Sequence, residues 1–257
     1  MKEFPSLEQI KAHVPEMRTP LGRLLIGLYV LGSFALVTLI FVVLDSRWPQ
    51  WTLVSQFAVL IVGFIWLARF ITRRAAFKQR WGELAYRNAF AIHGVPGLAL
   101  ILSAVIHIAY MPGPAIPLDW WSPGVVTLGW FFCVVGFVLW ARAIFAFGFD
   151  NLALLYVYYP ADGRLVDTAI YGILRHPTYA AVIRFGLGMA LLNGNWFALA
   201  FGLFMPFGMT LWLRLVEEKE LIERFGAGYT DYRKRVPAFW PRPRDYGKFW
   251  RFLITGR

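Results

Sequence analysis

From Leu24 to Leu44 the chain runs 21 residues without a charge, bounded by Arg23 and Asp45. At about 1.5 Å per residue, a helix of that length reaches roughly 30 Å, the thickness of a bilayer's hydrocarbon core. In lipid the backbone must satisfy its own N–H and C=O groups, so a run of this kind folds as a spanning helix. Comparable runs follow at Trp51–Ala68, Ala89–Tyr110 and Gly124–Ala141. A last one, Phe185–Leu213, is broken by Asn193-Gly194-Asn195. Asn-Gly is a turn dipeptide, and it divides this region into arms of about Pro177–Leu192 and Trp196–Val216. The first arm is short and carries Arg184, so it is expected to tilt or to cross only part of the bilayer. The expected fold class is an all-α integral membrane protein of about six transmembrane helices. The last two form a tight helical hairpin, followed by a cytoplasmic C-terminal helical tail. Composition agrees, since 16% charged and 58% hydrophobic residues depart from the roughly 25% charged and 45–50% apolar residues of soluble domains.

Three stretches follow from this pattern: residues 1–22 as a cytoplasmic N-terminal segment on the membrane surface, 23–147 as four spans, and 148–257 as a polar loop, hairpin and tail. Residues 1–20 are too polar, and the run behind them too long, for a cleaved signal peptide. Basic residues set the orientation. Arg69, Arg73, Arg74, Lys78, Arg80 and Arg87 follow span two, and Arg142, Arg164 and Arg175 follow span four. Further arginines and lysines follow span six, whereas the opposite connections are nearly bare, with Arg47 after span one and none in Met111–Pro123 or the Asn-Gly-Asn turn. All the basic segments and both termini are therefore expected on the cytoplasmic side. The net charge of +11 then reads as contact with anionic membrane lipids, not with nucleic acid. The single cysteine, Cys133, excludes an intrachain disulfide and a multi-cysteine metal site, and it is expected to be a small buried apolar residue. His93 and His107 lie fourteen residues apart on span three, about 21 Å along its axis, so one metal ion cannot join them. No metal site is expected.

Chemistry must sit where polar groups gather at the membrane edge. One cluster runs from Tyr158 to Tyr179 and contains Arg175-His176-Pro177. Proline suits the first helical turn, which leaves the N–H groups of Thr178 and Tyr179 free for an acceptor. A second cluster runs from Arg214 to Pro237. There the helical i, i+3, i+4 spacing puts Arg214, Glu217 and Glu218 on one face, where Arg214 and Glu217 can pair. Taken singly, each cluster also fits an arginine snorkelling at the surface or an ordinary charged helix leaving the membrane.

Jointly, the motifs "DGRLVDTAIYGILRHPTY", "NGN" and "EEKELIERFGAGYTDYRKRVPAFWP" resemble the isoprenylcysteine carboxyl methyltransferase family and its phospholipid-methyltransferase-like relatives. The resemblance covers about Gly163–Pro241. It implies an integral-membrane methyltransferase that uses S-adenosylmethionine in a cytoplasm-facing pocket and acts on a lipophilic or membrane-associated acceptor. Carried onto this sequence, the cofactor contacts are Leu165, Val166, Tyr171, His176, Pro177, Thr178, Tyr179 and Glu217. The substrate-facing arginine is Arg214, one residue displaced from the family's usual spacing, or Arg184. The cofactor's sulfonium, ammonium, carboxylate and adenine call for acidic, N–H-rich and aromatic partners, which these positions supply. His176 is a candidate base for a thiol or amine acceptor. Two other classes stay open: a nicotinamide-dependent membrane sterol reductase and a non-catalytic membrane scaffold of the same fold.

Overall fold

The computed structural model describes residues 5–117 and 123–256. The helices used below are α1 (Pro5–His13), α2 (Pro20–Arg47), α3 (Thr52–Thr72), α4 (Arg74–His107) and α5 (Pro123–Phe147), followed by α6 (Pro177–Asn193), α7 (Trp196–Phe225), α8 (Ala227–Arg235) and α9 (Tyr246–Thr255). Among the described residues, five helices are long and apolar enough to cross a membrane: α2, α3 with its leading turn from Pro49, α4, α5 and α7. The expected sixth span, α6, has 17 residues and so reaches only about 25 Å. The connection expected to face away from the cytoplasm, Met111–Pro123, is described only in part, because residues 118–122 lie outside the described residues.

Packing divides the chain into two compact units. One comprises residues 1–107 and 149–162, the other residues 108–148 and 163–257. By packing, therefore, the fourth span groups with the C-terminal region and not with the first three spans.

In the first unit α3 and α4 approach closely at glycines. A Cβ on Gly63 would lie 2.9 Å from side-chain atoms of Leu100 and Ile101, and one on Gly97 would lie 3.0 Å from the Leu67 nitrogen. Small residues let membrane helices gain dispersion contacts where no hydrophobic drive separates helix from lipid. Helix α2 packs through Val37 and Phe41 against Ala99 and Ala104 of α4. Most of its other side chains, such as Leu24, Leu28, Leu31, Leu36 and Leu39, are exposed, as lipid-facing residues must be. A polar cluster ties these three helices together. His107, fully buried, meets Asp45 Oδ2 through Nε2 at 2.7 Å and Gln56 Oε1 through Nδ1 at 2.8 Å. The Gln56 amide donates to the Ala104 carbonyl at 2.7 Å, and Thr52 Oγ1 donates to Asp45 Oδ1 at 2.8 Å. Both ring nitrogens of His107 thus face acceptors. A carboxylate at the end of a span is costly in lipid when unpaired, and here both oxygens of Asp45 have partners.

In the second unit α5 and α6 touch backbone to backbone. A Cβ on Gly136 would sit 2.9 Å from the Ala181 oxygen, and one on Gly188 would sit 2.7 Å from the Cys133 nitrogen and the Gly129 oxygen. Cys133 is buried in this contact, the small apolar role expected of it. The α6–α7 hairpin forms as expected. Gly194 takes the left-handed conformation (φ 73°) that ends α6, and Asn195 caps α7 by accepting from the Ala198 N–H at 2.8 Å. The Asn193 and Asn195 amides also donate to carbonyls of Ile108 and Met111, which anchors the turn. Because the two arms run antiparallel, the start of α6 and the end of α7 come to the same place.

Candidate functional site

Pro177 opens α6, and His176 precedes it with φ −128° and ψ 64°. That conformation stops the helix one residue earlier and exposes the N–H groups of its first turn. At the other end of the hairpin, α7 changes pitch. Residues Leu213–Glu217 form a π-helical turn before the α-helix resumes at Glu218. One extra residue in that turn rotates Glu217 and Glu218 towards His176.

His176 lies between the two carboxylates. Its Nδ1 is 3.4 Å from Glu217 Oε1, and its Nε2 is 3.4 Å from Glu218 Oε1. The ring is 6% exposed. Burial alone would lower its pKa, but the hydrogen bonds and charges of Glu217 and Glu218 outweigh it and raise the pKa. Both ring nitrogens thus face carboxylate oxygens, and the net effect of its surroundings favours the protonated ring. Glu218 is the hub of the cluster. It accepts from Arg175 Nε at 2.8 Å, from Arg233 Nη1 at 3.3 Å and from the Tyr229 hydroxyl at 3.4 Å. Glu217 accepts from the Tyr179 hydroxyl and, at 3.1 Å, from Trp212 Nε1.

The C-terminal segment closes over this cluster through its backbone. The carbonyls of residues 236 to 239 are taken in order: Val236 by Arg175 Nη1 at 2.8 Å, Pro237 by the Arg175 N–H at 2.9 Å, Ala238 by the His176 N–H at 3.2 Å, and Phe239 by Arg184 at 3.2 Å. Arg184, 4% exposed, also donates to the Ala180 oxygen, and its guanidinium lies 4.3 Å from the Trp240 ring centroid. Cation–π contact and carbonyl acceptors replace a carboxylate for this buried charge.

Tyr171 is buried and stacks on Phe147 at 4.9 Å, and its carbonyl accepts from the Tyr232 hydroxyl at 2.6 Å. Its own hydroxyl is buried without a partner. Such an atom costs free energy unless something supplies a hydrogen bond. It is reached through a strained turn in which Ala169, not a glycine, has φ 51°. Leu165 packs against the cluster of Tyr229, Tyr232 and Val236; Val166, next to it in sequence, and Thr178, in the first turn of α6, are half-buried.

Of the residues expected at a site, His176, Pro177, Tyr179 and Glu217 are brought together directly, with Tyr171 and Leu165 joined to them through Tyr229 and Tyr232. The expected pairing of Arg214 with Glu217 does not occur. Arg214 is exposed and forms no ion pair among the described residues, because the π-turn separates the two side chains that α-helical spacing would align. Glu218 shares the charged face with Glu217 in the sequence but carries no predicted contact there, and Trp212 and Arg233 carry no sequence signal. The tyrosines of "FGAGYTDY", spaced i and i+3, were the available signal for Tyr229 and Tyr232.

Residues 125–228 match the phospholipid methyltransferase family. Among curated proteins the chain is similar to protein-S-isoprenylcysteine O-methyltransferase B of Arabidopsis thaliana, at 25% identity over 60% of this chain and 83% of the relative. It is also similar to methanethiol S-methyltransferase 2 of Bradyrhizobium diazoefficiens, at 25% identity over 72% of each. A further match is protein-S-isoprenylcysteine O-methyltransferase of Schizosaccharomyces pombe, at 34% identity over 30% of this chain. This last alignment spans only 33% of the relative's length. No solved structure matches the chain at comparable stringency. With the apolar spans and the polar cluster at the hairpin's open end, these matches define an integral-membrane methyltransferase. The match to the phospholipid methyltransferase family lies within residues 125–228.

Proposed function

We propose that the chain binds S-adenosylmethionine at the His176–Glu217 cluster, on the cytoplasmic side, and methylates a lipophilic carboxylate. The observation that carries this reading is the His176 ring set between Glu217 and Glu218, with a carboxylate oxygen 3.4 Å from each ring nitrogen. With both ring nitrogens turned to carboxylates, His176 has no nitrogen directed at an acceptor and is a poor base for a thiol or amine. A carboxylate is already a nucleophile and needs no base. Bound there, the cofactor supplies an electrophilic methyl group on a sulfonium. The acceptor oxygen forms the new bond to carbon as the carbon–sulfur bond breaks, leaving a neutral thioether.

In this reading Glu217 offers the negative charge for the donor's cationic end. The free N–H groups of Thr178 and Tyr179 meet its carboxylate, and the unpartnered Tyr171 hydroxyl meets its polar edge. Arg184 is committed to Phe239, so it positions the C-terminal segment. Arg214, exposed at the membrane edge without an ion partner, is the arginine free to meet an acceptor carboxylate, and its planar fork suits that group. The names of the Arabidopsis and Schizosaccharomyces relatives, isoprenylcysteine O-methyltransferases, support an O-methyl acceptor.

The test combines ligand stabilisation with two variants. S-adenosylhomocysteine should raise the thermal midpoint of the detergent-solubilised protein, as any ligand of the native state does, and NADPH should not. Stabilisation by NADPH alone would favour a reductase, and by neither a scaffold. Glu217→Gln removes one charge-assisted interaction of about 1.5–3 kcal/mol, so donor affinity measured by calorimetry should fall about ten- to a hundredfold. Arg214→Lys should lower turnover of a prenylated cysteine carboxylate while leaving donor affinity near normal. Equal loss of donor affinity in both variants would overturn the division of roles.

A further inference from the structure

Helix α2 meets α4 tightly at Val37 and Phe41, but nearer its N-terminus the two helices enclose a cavity of about 490 Å³. That volume lies within the roughly 300–1,000 Å³ of small-ligand sites. Its walls are apolar: Leu25, Ile26 and Val30 from α2, and Phe90, Ile92 and Val95 from α4. The outer face of α2 at this level exposes Leu21, Leu24 and Leu28, so the cavity lies beside lipid-facing surface. Met17 lines it and also lines a second hollow of about 360 Å³. Among the described residues this polar hollow is bounded by Lys11, Arg18 and Arg23 and by one carboxylate, Glu8.

The cations of that hollow are not equivalent. Lys11 pairs with Glu8 at 2.6 Å, and Arg18 donates to the carbonyls of Lys11 and Ala12. Arg23 has no side-chain partner among the described residues. On the apolar side of Met17 stands Glu16, one oxygen of which pairs with Arg87. Its other oxygen is buried with no hydrogen-bond partner. An orphaned carboxylate oxygen calls for a donor, and Arg23, without a side-chain partner among the described residues, calls for negative charge.

We propose that these two spaces, which share Met17 as a wall, bind one anionic membrane phospholipid with a hydroxyl-bearing head, such as phosphatidylglycerol. An acyl chain occupies the cavity between α2 and α4, the phosphate meets Arg23 and its neighbours, and a head-group hydroxyl donates to Glu16. The site belongs to the first unit and does not rest on the methyl-transfer reading.

The experiment is native mass spectrometry of the full chain, delipidated and then titrated with phosphatidylglycerol or phosphatidylcholine. The wild type should retain one phosphatidylglycerol at least tenfold more tightly than phosphatidylcholine. Arg23→Gln should abolish that preference, and Ile26→Trp, which fills the cavity, should abolish retention of both lipids. A diazirine-bearing phosphatidylglycerol should cross-link wild-type residues 25–30, which keeps the idea testable if Ile26→Trp does not fold. Equal retention of the two lipids by all proteins, or cross-linking spread evenly along α2, means an annular lipid only and overturns the proposal. Competition by glycerol phosphate as effective as by the intact lipid would mean a simple anion site, and would overturn it too.

Discussion

Replacing His176 with glutamine should make the stability of this protein less dependent on pH, and the size of the change follows from the geometry. In the folded chain the ring faces Glu217 and Glu218, each at 3.4 Å. Charge-assisted contacts are worth about 1.5–3 kcal/mol, and at this distance the lower figure applies, so the two together stabilise by about 3 kcal/mol. The folded pKa is raised above the ordinary value of 6.5. That stabilisation is therefore complete below about pH 6.5, where the unfolded ring is charged as well, and it is lost as the pH rises through the folded pKa. The assay is thermal unfolding of purified wild type and His176→Gln in detergent between pH 6 and 9. At about 2–4 °C per kcal/mol for a chain of this size, the variant should unfold about 6–12 °C lower at pH 6. The gap should narrow steadily towards pH 9. A gap that stays constant across the range would mean that the ring does not titrate there, and the imidazolium argument, with the choice of a carboxylate acceptor, would fail.

Other expectations concern the membrane-embedded contacts. Gly188→Ala places a Cβ 2.7 Å from backbone atoms of α5, and backbone cannot yield, so destabilisation should reach the top of the roughly 1–3 kcal/mol range for overpacking. Gly124→Ala, with nothing within 4 Å, should leave the midpoint unchanged. Asp45→Ala strips the buried His107 of its carboxylate and should cost about 3–5 kcal/mol, read as a midpoint lowered by about 10 °C. A cysteine at Lys78 should resist a membrane-impermeant label applied from outside the cell, and labelling there would reverse the proposed orientation.

Much of this architecture is written in runs and punctuation. Leu24–Leu44 declares a span, Asn193-Gly194-Asn195 declares a hairpin, and Arg175-His176-Pro177 declares a helix start. What stayed hidden has specific causes. The π-turn at Leu213–Glu217 has no residue signature, yet one inserted residue is enough to part Arg214 from Glu217. The grip on residues 236–239 uses main-chain carbonyls, which every sequence possesses. The Asp45–His107 pair joins positions 62 apart. It was legible only to a reader who followed three spans back and forth and noticed that the end of the first and the end of the third share a side.

The four consecutive carbonyls held by Arg175, His176 and Arg184 also set an order of assembly. Residues 175–184 leave the ribosome more than fifty residues before residues 236–239. During that interval Arg175 and Arg184 stand at the hairpin's entrance with their final acceptors not yet made. The buried site therefore cannot be finished before residues 236–239 have been made. A nascent hairpin has to keep those guanidiniums wet until the tail arrives. Removing the chain beyond Arg235 would arrest every molecule at that unfinished stage, with each helix of the hairpin already synthesised.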